Sequence, residues 1–326
     1  MMKKLIAILV LMSLCPSLPA QEKDLSVMLQ QRSSFYSSSS FVFDYFDLCA
    51  SGSIGSHVSF NYLQGLNCIG TDKSFFDAAN WACASWTSGH YNFIFGKQMT
   101  EYAGNEYYHR PIDLFFNAEY WRNYPAFQSG ITGQYIFSSG DVLAIQLLQS
   151  PYRKLAVDHN LFSYSASVRG DHDGWGYSAS VNFFEHPWSE SSLMAHQVIS
   201  GWLKAGPALL ECDLINRCGT ESPALLNDWS TVVNLDVAAS DALHFFAKYT
   251  RDANGDCTHD IMVHPGTDIS NVGAGLYWYP SSESGNVRLH SWFSRSFGVN
   301  TNPAGAIRPD TSVFCVGATW FIHLLR

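Results

Sequence analysis

Several ionisable residues in this chain stand two or four positions apart, the spacing that puts side chains on one face of a strand. Arg288 and His290 share a parity in Val287-Arg288-Leu289-His290, opposite Val287 and Leu289. His244 and Lys248 share one in the stretch 242–251, with Arg169 on an earlier segment. Glu211, Asp213 and Asp236 interleave as acids. Donors and carboxylates so placed attract and sort ions in a water-filled lumen; the plainer alternative is a solvated interior without selectivity. Covalent chemistry is not expected. His290 and Ser291 are neighbours and so point to opposite faces of a strand, and no G-x-S-x-G elbow is present.

Metal chemistry finds little support either. Asp252-Ala253-Asn254-Gly255-Asp256 has its glycine in the fourth place, and Val263 stands where a calcium loop needs a bidentate Glu. Asn254-Gly255 reads instead as a turn after a strand. Cys257, His259, Asp260 and His264 form a donor-rich loop of the kind that exposed polar segments produce by chance. No metal, cofactor or catalytic residue is expected.

The long stretch Thr100–Tyr124 carries Glu101, Glu106, His109, Arg110, Asp113, Glu119 and Arg122 among aromatics, without a strand pattern. A connection of that length is usually functional or disordered, and its aromatic content argues for order. Folded into a lumen it would form a constriction, with Glu106, Arg110, Asp113 and Arg122 as candidate constriction residues. Left outside, it would cover the mouth.

The elements that position these residues follow period two. Gly174-Trp175-Gly176-Tyr177-Ser178-Ala179-Ser180-Val181-Asn182-Phe183-Phe184 sets Tyr, Ala, Val and Phe against Ser, Ser and Asn. Segments of this kind recur from about Leu48 to Leu325, divided by turns rich in Gly, Ser, Asn or Asp. Fourteen strands can be counted, with sixteen as the alternative if Phe41–Leu48 or part of Thr100–Tyr124 pairs into the sheet. Short polar turns make neighbours antiparallel and exclude a helix-linked parallel sheet. So many strands in one domain of about 300 residues are too many for a single sandwich. They suit a transmembrane β-barrel with an apolar outside, a polar lumen and aromatic belts. Tyr177, Ala179, Val181 and Phe183 are then expected to face lipid, and Ser178, Ser180 and Asn182 the lumen.

The ends bound the compartment. Lys3 and Lys4, an apolar run from Leu5 to Leu14, and Pro16, Pro19 and Ala20 form a secretory signal peptide over residues 1–20. Bulky Leu14 before Cys15 argues against lipid attachment. Residues 21–40 read as a short helical and Ser-rich segment, from the spacing of Leu25, Met28, Leu29 and Arg32, and 41–326 as the barrel. Without Lys3 and Lys4, 17 basic residues face 28 acidic ones, a net charge of −11. That excludes nucleic acid as a partner. Charged residues make up 14% of the chain and aromatics 15%, low and high respectively, as in a dense β core or a surface that meets lipid. Seven cysteines follow residue 20, an odd number that makes no disulfide framework; Cys212 and Cys218 flank a turn where a bridge could form.

Several stretches resemble the Bacteroidetes forms of the phosphate-selective porin O/P-like family. They are Phe95-Gly96-Lys97-Gln98, Phe127-Gln128-Ser129-Gly130-Ile131, the block from Gly273 to His290, and the final Gly317–Trp320. The resemblance runs in order over most of the chain, each match being short. It implies an outer-membrane pore for small hydrophilic solutes, assembled as a homotrimer. Two departures stand out: the lumen carries few bases, so phosphate specificity is not carried over, and Arg326 replaces the expected aromatic last residue. With bases and acids near balance inside, weak selectivity with a mild cation preference is expected. A non-conducting barrel acting as an adhesin or structural protein is the alternative.

Overall fold

The computed structural model describes residues 23–325, apart from 38–40, 70–73, 76, 123–125, 153–159, 188–192, 220–225, 259 and 282–284. The signal-peptide stretch 1–20, His259 and Arg326 lie outside the described residues. The sheet opens with β1 (Lys23–Tyr36), β2 (Phe41–Ile54), β3 (Val58–Gly65), β4 (Ala79–Ser88) and β5 (Tyr91–Met99). After the inserted segment come β6 (Phe127–Ile136), β7 (Val142–Gln149), β8 (Phe162–His172), β9 (Trp175–Glu185) and β10 (Leu193–Ala205). Then follow β11 (Ala208–Gly219), β12 (Asp228–Ala238), β13 (Leu243–Asn254), β14 (Asp268–Trp278), β15 (Val287–Val299) and β16 (Ser312–Leu325).

Each strand pairs antiparallel with its sequence neighbours, and β16 pairs with β1 to close a barrel of 16 strands. Closure leaves no sheet edge, so every backbone donor and acceptor of the wall can be met within it. The fourteen strands counted in the sequence are β3 to β16. The sixteen-strand alternative is correct, and β1 and β2 are the two additions.

The expected N-terminal helix is therefore a strand. Leu25, Met28, Leu29 and Arg32 fit a helical spacing, yet Gln30, Arg32 and Ser34 turn inward while Phe35 is exposed. Tertiary pairing on both sides overrides that local pattern. β2 is disguised by a bulge: Arg32 pairs with Tyr45 but Ser33 with Phe43, which leaves Asp44 as the extra residue. Alternation breaks there, so Phe41-Val42-Phe43-Asp44-Tyr45-Phe46 looks unlike a one-sided strand.

Elsewhere the alternation is regular. Along β7, Ile145 is 66% exposed and Gln146 only 3%. Val181 is exposed on β9, whereas Ser178, Ser180 and Asn182 are buried. The outer face is thus apolar and the inner one polar, the inverse of a water-soluble core. Exposed aromatics gather in two belts: Trp86, Tyr91, Trp175, Trp278 and Trp320 at one end, and Phe35, Phe41, Phe162 and Phe297 at the other.

The two ends differ in their connections. Hairpins at one end are as short as two residues, with Gly174 and Gly206 at φ 82° and 59° supplying the left-handed conformation such turns need. β1 begins and β16 ends at this end. The other end carries the long connections, including 100–126, 255–267 and 300–311. Cys212 and Cys218 lie on one strand, six residues apart, hence about 20 Å apart. A disulfide needs Cα atoms within about 7 Å, and Cys212 is a free thiol.

Candidate functional site

Segment 100–122 folds into the barrel and lies along the inner wall. Its course is irregular, with a helical turn α1 (Asn105–Tyr108) and two 3₁₀ turns, Pro111–Asp113 and Glu119–Arg122. The serines of the wall make its bed. Ala103 donates its N–H to Ser180 Oγ at 3.1 Å, and Ser178 Oγ donates to Ala103 O at 3.0 Å. The Ser200 hydroxyl donates to the same carbonyl. A hydroxymethyl group is short enough to let one backbone approach another and still satisfy it, so part of the expected water-facing row instead docks protein. Asp213 accepts the N–H groups of Asn105 and Glu106 at 2.9 and 3.0 Å. Tyr102, Tyr107 and Tyr120 then pack with Phe184, Met194, Val198 and Ile215 into a dry cluster inside the barrel.

Beyond Tyr120 lies a buried ionic hub. Arg217 donates Nε to Asp260 at 2.8 Å and Nη2 to Asp228 at 2.7 Å, and its Nη1 stands 3.7 Å from Asp252. The side chains of all four are at most 1% exposed. Asp252 also accepts the N–H groups of Glu119 at 2.7 Å and Tyr120 at 3.2 Å. Asp260, read in the sequence as part of a donor-rich loop, therefore serves the guanidinium. Among the described residues no group of three or more His, Cys, Asp or Glu could hold a metal ion.

The opposite edge of the segment is held by charge. Lys248 pairs with buried Glu106 and donates to Phe116 O at 2.6 Å. Arg288 donates to Asp113 Oδ1 at 2.8 Å and Ile112 O at 3.0 Å. Arg32 of β1 grips the same stretch, donating to Ile112 O at 3.0 Å and Leu114 O at 2.6 Å. Arg110 pairs with Asp113 at 2.8 Å, and His109 Nε2 meets Glu211 at 2.9 Å. The hydrogen bond to Glu211 raises the pKa of His109 above its ordinary value, against the opposing cost of burial. At Gly273 a Cβ would stand 2.8 Å from the Phe116 ring, so glycine there is what lets that ring seat against the wall.

Arg288, Lys248, Glu211, Asp213, Glu106, Arg110 and Asp113 are thus brought together around one feature. His244 and Asp236 form a separate cluster towards the short-turn end: His244 Nδ1 lies 3.0 Å from Asp236, to which Tyr277 donates at 2.6 Å. Arg169 meets the same segment from another part of the wall, its guanidinium 5.6 Å over the Tyr108 ring. His290 packs on Phe115 with ring centroids 4.9 Å apart. The side chain of Arg122 lies outside the described residues. Ser34 Oγ lies 3.3 Å from His290 Nε2, a meeting hidden from the sequence because β1 looked helical. Asp44 takes the serine hydroxyl, while His290 Nδ1 has no partner, so no carboxylate orients the imidazole.

Between the segment and the wall from β11 to β16 lies a cavity of about 710 Å³. Its lining carries the acids Glu106, Asp113, Glu211, Asp213, Asp236 and Asp241 and the bases Arg110, Lys248 and Arg288. Arg217 is a site residue that sequence reasoning missed, and Arg32, Asp252 and Glu119 were noted there without a role in the site. Arg32 and Arg217 were visible as bases of inward parity once strands β1 and β11 are drawn in full.

No protein-family model and no curated protein matches the sequence. Solved structures do match in fold. OmpT of Vibrio cholerae, an outer-membrane protein, aligns over 94% of this chain and 99% of its own with a TM-score of 0.66 and 12% identity. The outer membrane channel DcaP of Acinetobacter baumannii covers 92% and 97% with a TM-score of 0.65 and 9% identity. Salmonella typhi OmpF, solved with daunomycin, covers 93% and 98% with a TM-score of 0.63 and 11% identity. At these identities the likeness is one of architecture: the chain has the fold of outer-membrane porins.

Proposed function

We propose that the protein is an outer-membrane porin, a passive and weakly selective diffusion pore for small hydrophilic solutes or ions. The observation that carries this reading is the inverted barrel: an apolar outer band between two aromatic belts, around a polar lumen that an inserted segment narrows. A closed barrel of 16 strands is wide enough for a water-filled bore. The signal-peptide pattern fits export to that membrane, with the short turns inside and the long connections outside. A trimer form is described for Vibrio cholerae OmpT, and a homotrimer in lipid is the assembly we propose here. Phosphate specificity forms no part of the proposal, because Arg32, Lys248 and Arg288 are engaged with the inserted segment.

In the cavity Glu211, Asp236 and Asp241 outnumber the bases on the same wall, which favours cations mildly. Charges at the mouth act within a Debye length of about 8 Å, so the preference fades as salt rises. The test is a planar-bilayer recording of purified protein under a salt gradient. Stepwise currents with a small cation-directed reversal potential are expected. Absence of any steps removes the pore reading and leaves a non-conducting surface barrel, an adhesin or structural protein.

A further inference from the structure

Glu119 sits where three parts of the molecule meet. It is fully buried, and its carboxylate accepts two successive backbone N–H groups from connection 300–311, those of Ala306 at 2.8 Å and Ile307 at 2.7 Å. Its own N–H and that of Tyr120 are held by Asp252 on β13. The same connection is tied to its neighbour: Asn302 Nδ2 donates to Met262 O at 2.9 Å, and the Thr301 and Thr267 hydroxyls meet at 2.8 Å. Pro303, Ala304, Ala306 and Arg308 remain exposed at the long-loop mouth.

A carboxylate gripping two consecutive amides in a dry site is short, directional and stronger than a bond between neutral groups. The contacts run without a gap from exposed residues 303–304, through Ala306 and Ile307, to Glu119 and along the segment to Asp113. Such a contiguous network is what mechanical coupling requires, and coupling evidence is what turns it into a mechanism.

We infer that Glu119 is a positioning residue through which the outer connection 300–311 sets the pose of the constriction. A load on residues 303–304 is transmitted to residues 105–116 inside the lumen. The meaning of this device rests on the pore reading, but its test does not.

The experiment uses the full chain folded in detergent, with six histidines inserted between Pro303 and Ala304. Streptavidin bearing nickel-nitrilotriacetate groups supplies the load. Backbone hydrogen exchange is followed at residues 105–122 and single-channel current in a bilayer, each with Glu119 and with E119A. With Glu119 present, loading should speed exchange in the segment by about tenfold or more, as expected when charge-assisted hydrogen bonds are strained. It should also change the open-channel current. In E119A, loading should change neither. Unchanged exchange in the Glu119 form overturns the inference, as does an equal fall in current in both forms, which marks simple occlusion of the mouth. A barrel that conducts in no form counts against the pore, while the exchange measurement still decides the coupling. If E119A does not assemble, E119Q keeps one acceptor oxygen and should show a smaller response to the load than Glu119.

Discussion

The two edges of the inserted segment are held by unlike physics. Along Tyr102–Tyr107 and at Tyr120 it is bedded on serines, tyrosines and the Arg217 hub, with water excluded. Along His109–Phe116 it is pinned by separate ion pairs beside a cavity of about 710 Å³. Shape and burial fix the first edge, its buried hub included, so it should ignore salt. Partly exposed charge fixes the second, so it should respond to salt as well as to pH. A pore needs both behaviours: a constriction that stays in place, and a rim whose field meets the solute.

Breaking the bed should have the largest effect. Arg217→Met leaves Asp228, Asp252 and Asp260 buried without their cation, at a cost of about 3–5 kcal/mol. Denaturant unfolding of the folded barrel should read it; a loss under about 1 kcal/mol would mean that the hub does not hold the segment. Ser180→Leu is the next largest, an overpacking of about 1–3 kcal/mol, because the new side chain meets the backbone of Ala103. It should lift the segment and raise single-channel conductance. An unchanged conductance would move the constriction elsewhere.

Changes at the rim should be smaller and electrical. Arg288→Ser removes one of two cations on Asp113 and one of two donors to Ile112 O, which keep Arg110 and Arg32; it costs about 1 kcal/mol and should move the reversal potential towards cations. Adding His290→Ser should add little, since that ring packs on Phe115 rather than meeting solute. Loss of a strong anion preference would instead reveal a basic ladder. The smallest effect is at His109. Its pKa is raised in the folded protein by Glu211, so the stabilisation is complete below the ordinary imidazole value near 6.5 and is lost as pH climbs through the raised value. His109→Gln should flatten that pH dependence of conductance above neutrality; a profile identical to the parent would assign the titration to another group.

The unequal legibility of the chain has the same physical roots. β3 to β16 were legible because alternation of exposed and buried residues runs along most of each strand, as along Leu143–Leu148, although Phe184, Met194, Val198 and Ile215 put apolar groups on the inner face. β1 and β2 escaped that reading because the Asp44 bulge shifts the parity and because Leu25, Met28 and Leu29 mimic a helix. The candidate residues on the cavity side, Arg288, Lys248 and Glu211, were visible as charges at inward positions. Their partners were not, since a strand pattern shows which face a side chain takes but not what lies across the lumen. Arg217 and Asp252 sit in the same pattern and differ from Arg169 only by what packs over them, which no local spacing records.

The grips on the inserted segment are also remote along the chain. Ala103 meets Ser180 at a separation of 77 residues, and Glu119 meets Ile307 at 188. Contacts of such separation form late, because the intervening chain loses its freedom before they stabilise anything. The wall from β8 to β13 must pair before the bed exists, and β15 must be in place before Glu119 finds its amides. Closure of β1 on β16 joins residues still farther apart, such as Phe35 and Val316, so docking of residues 100–122 does not depend on it and is a distinct step of maturation.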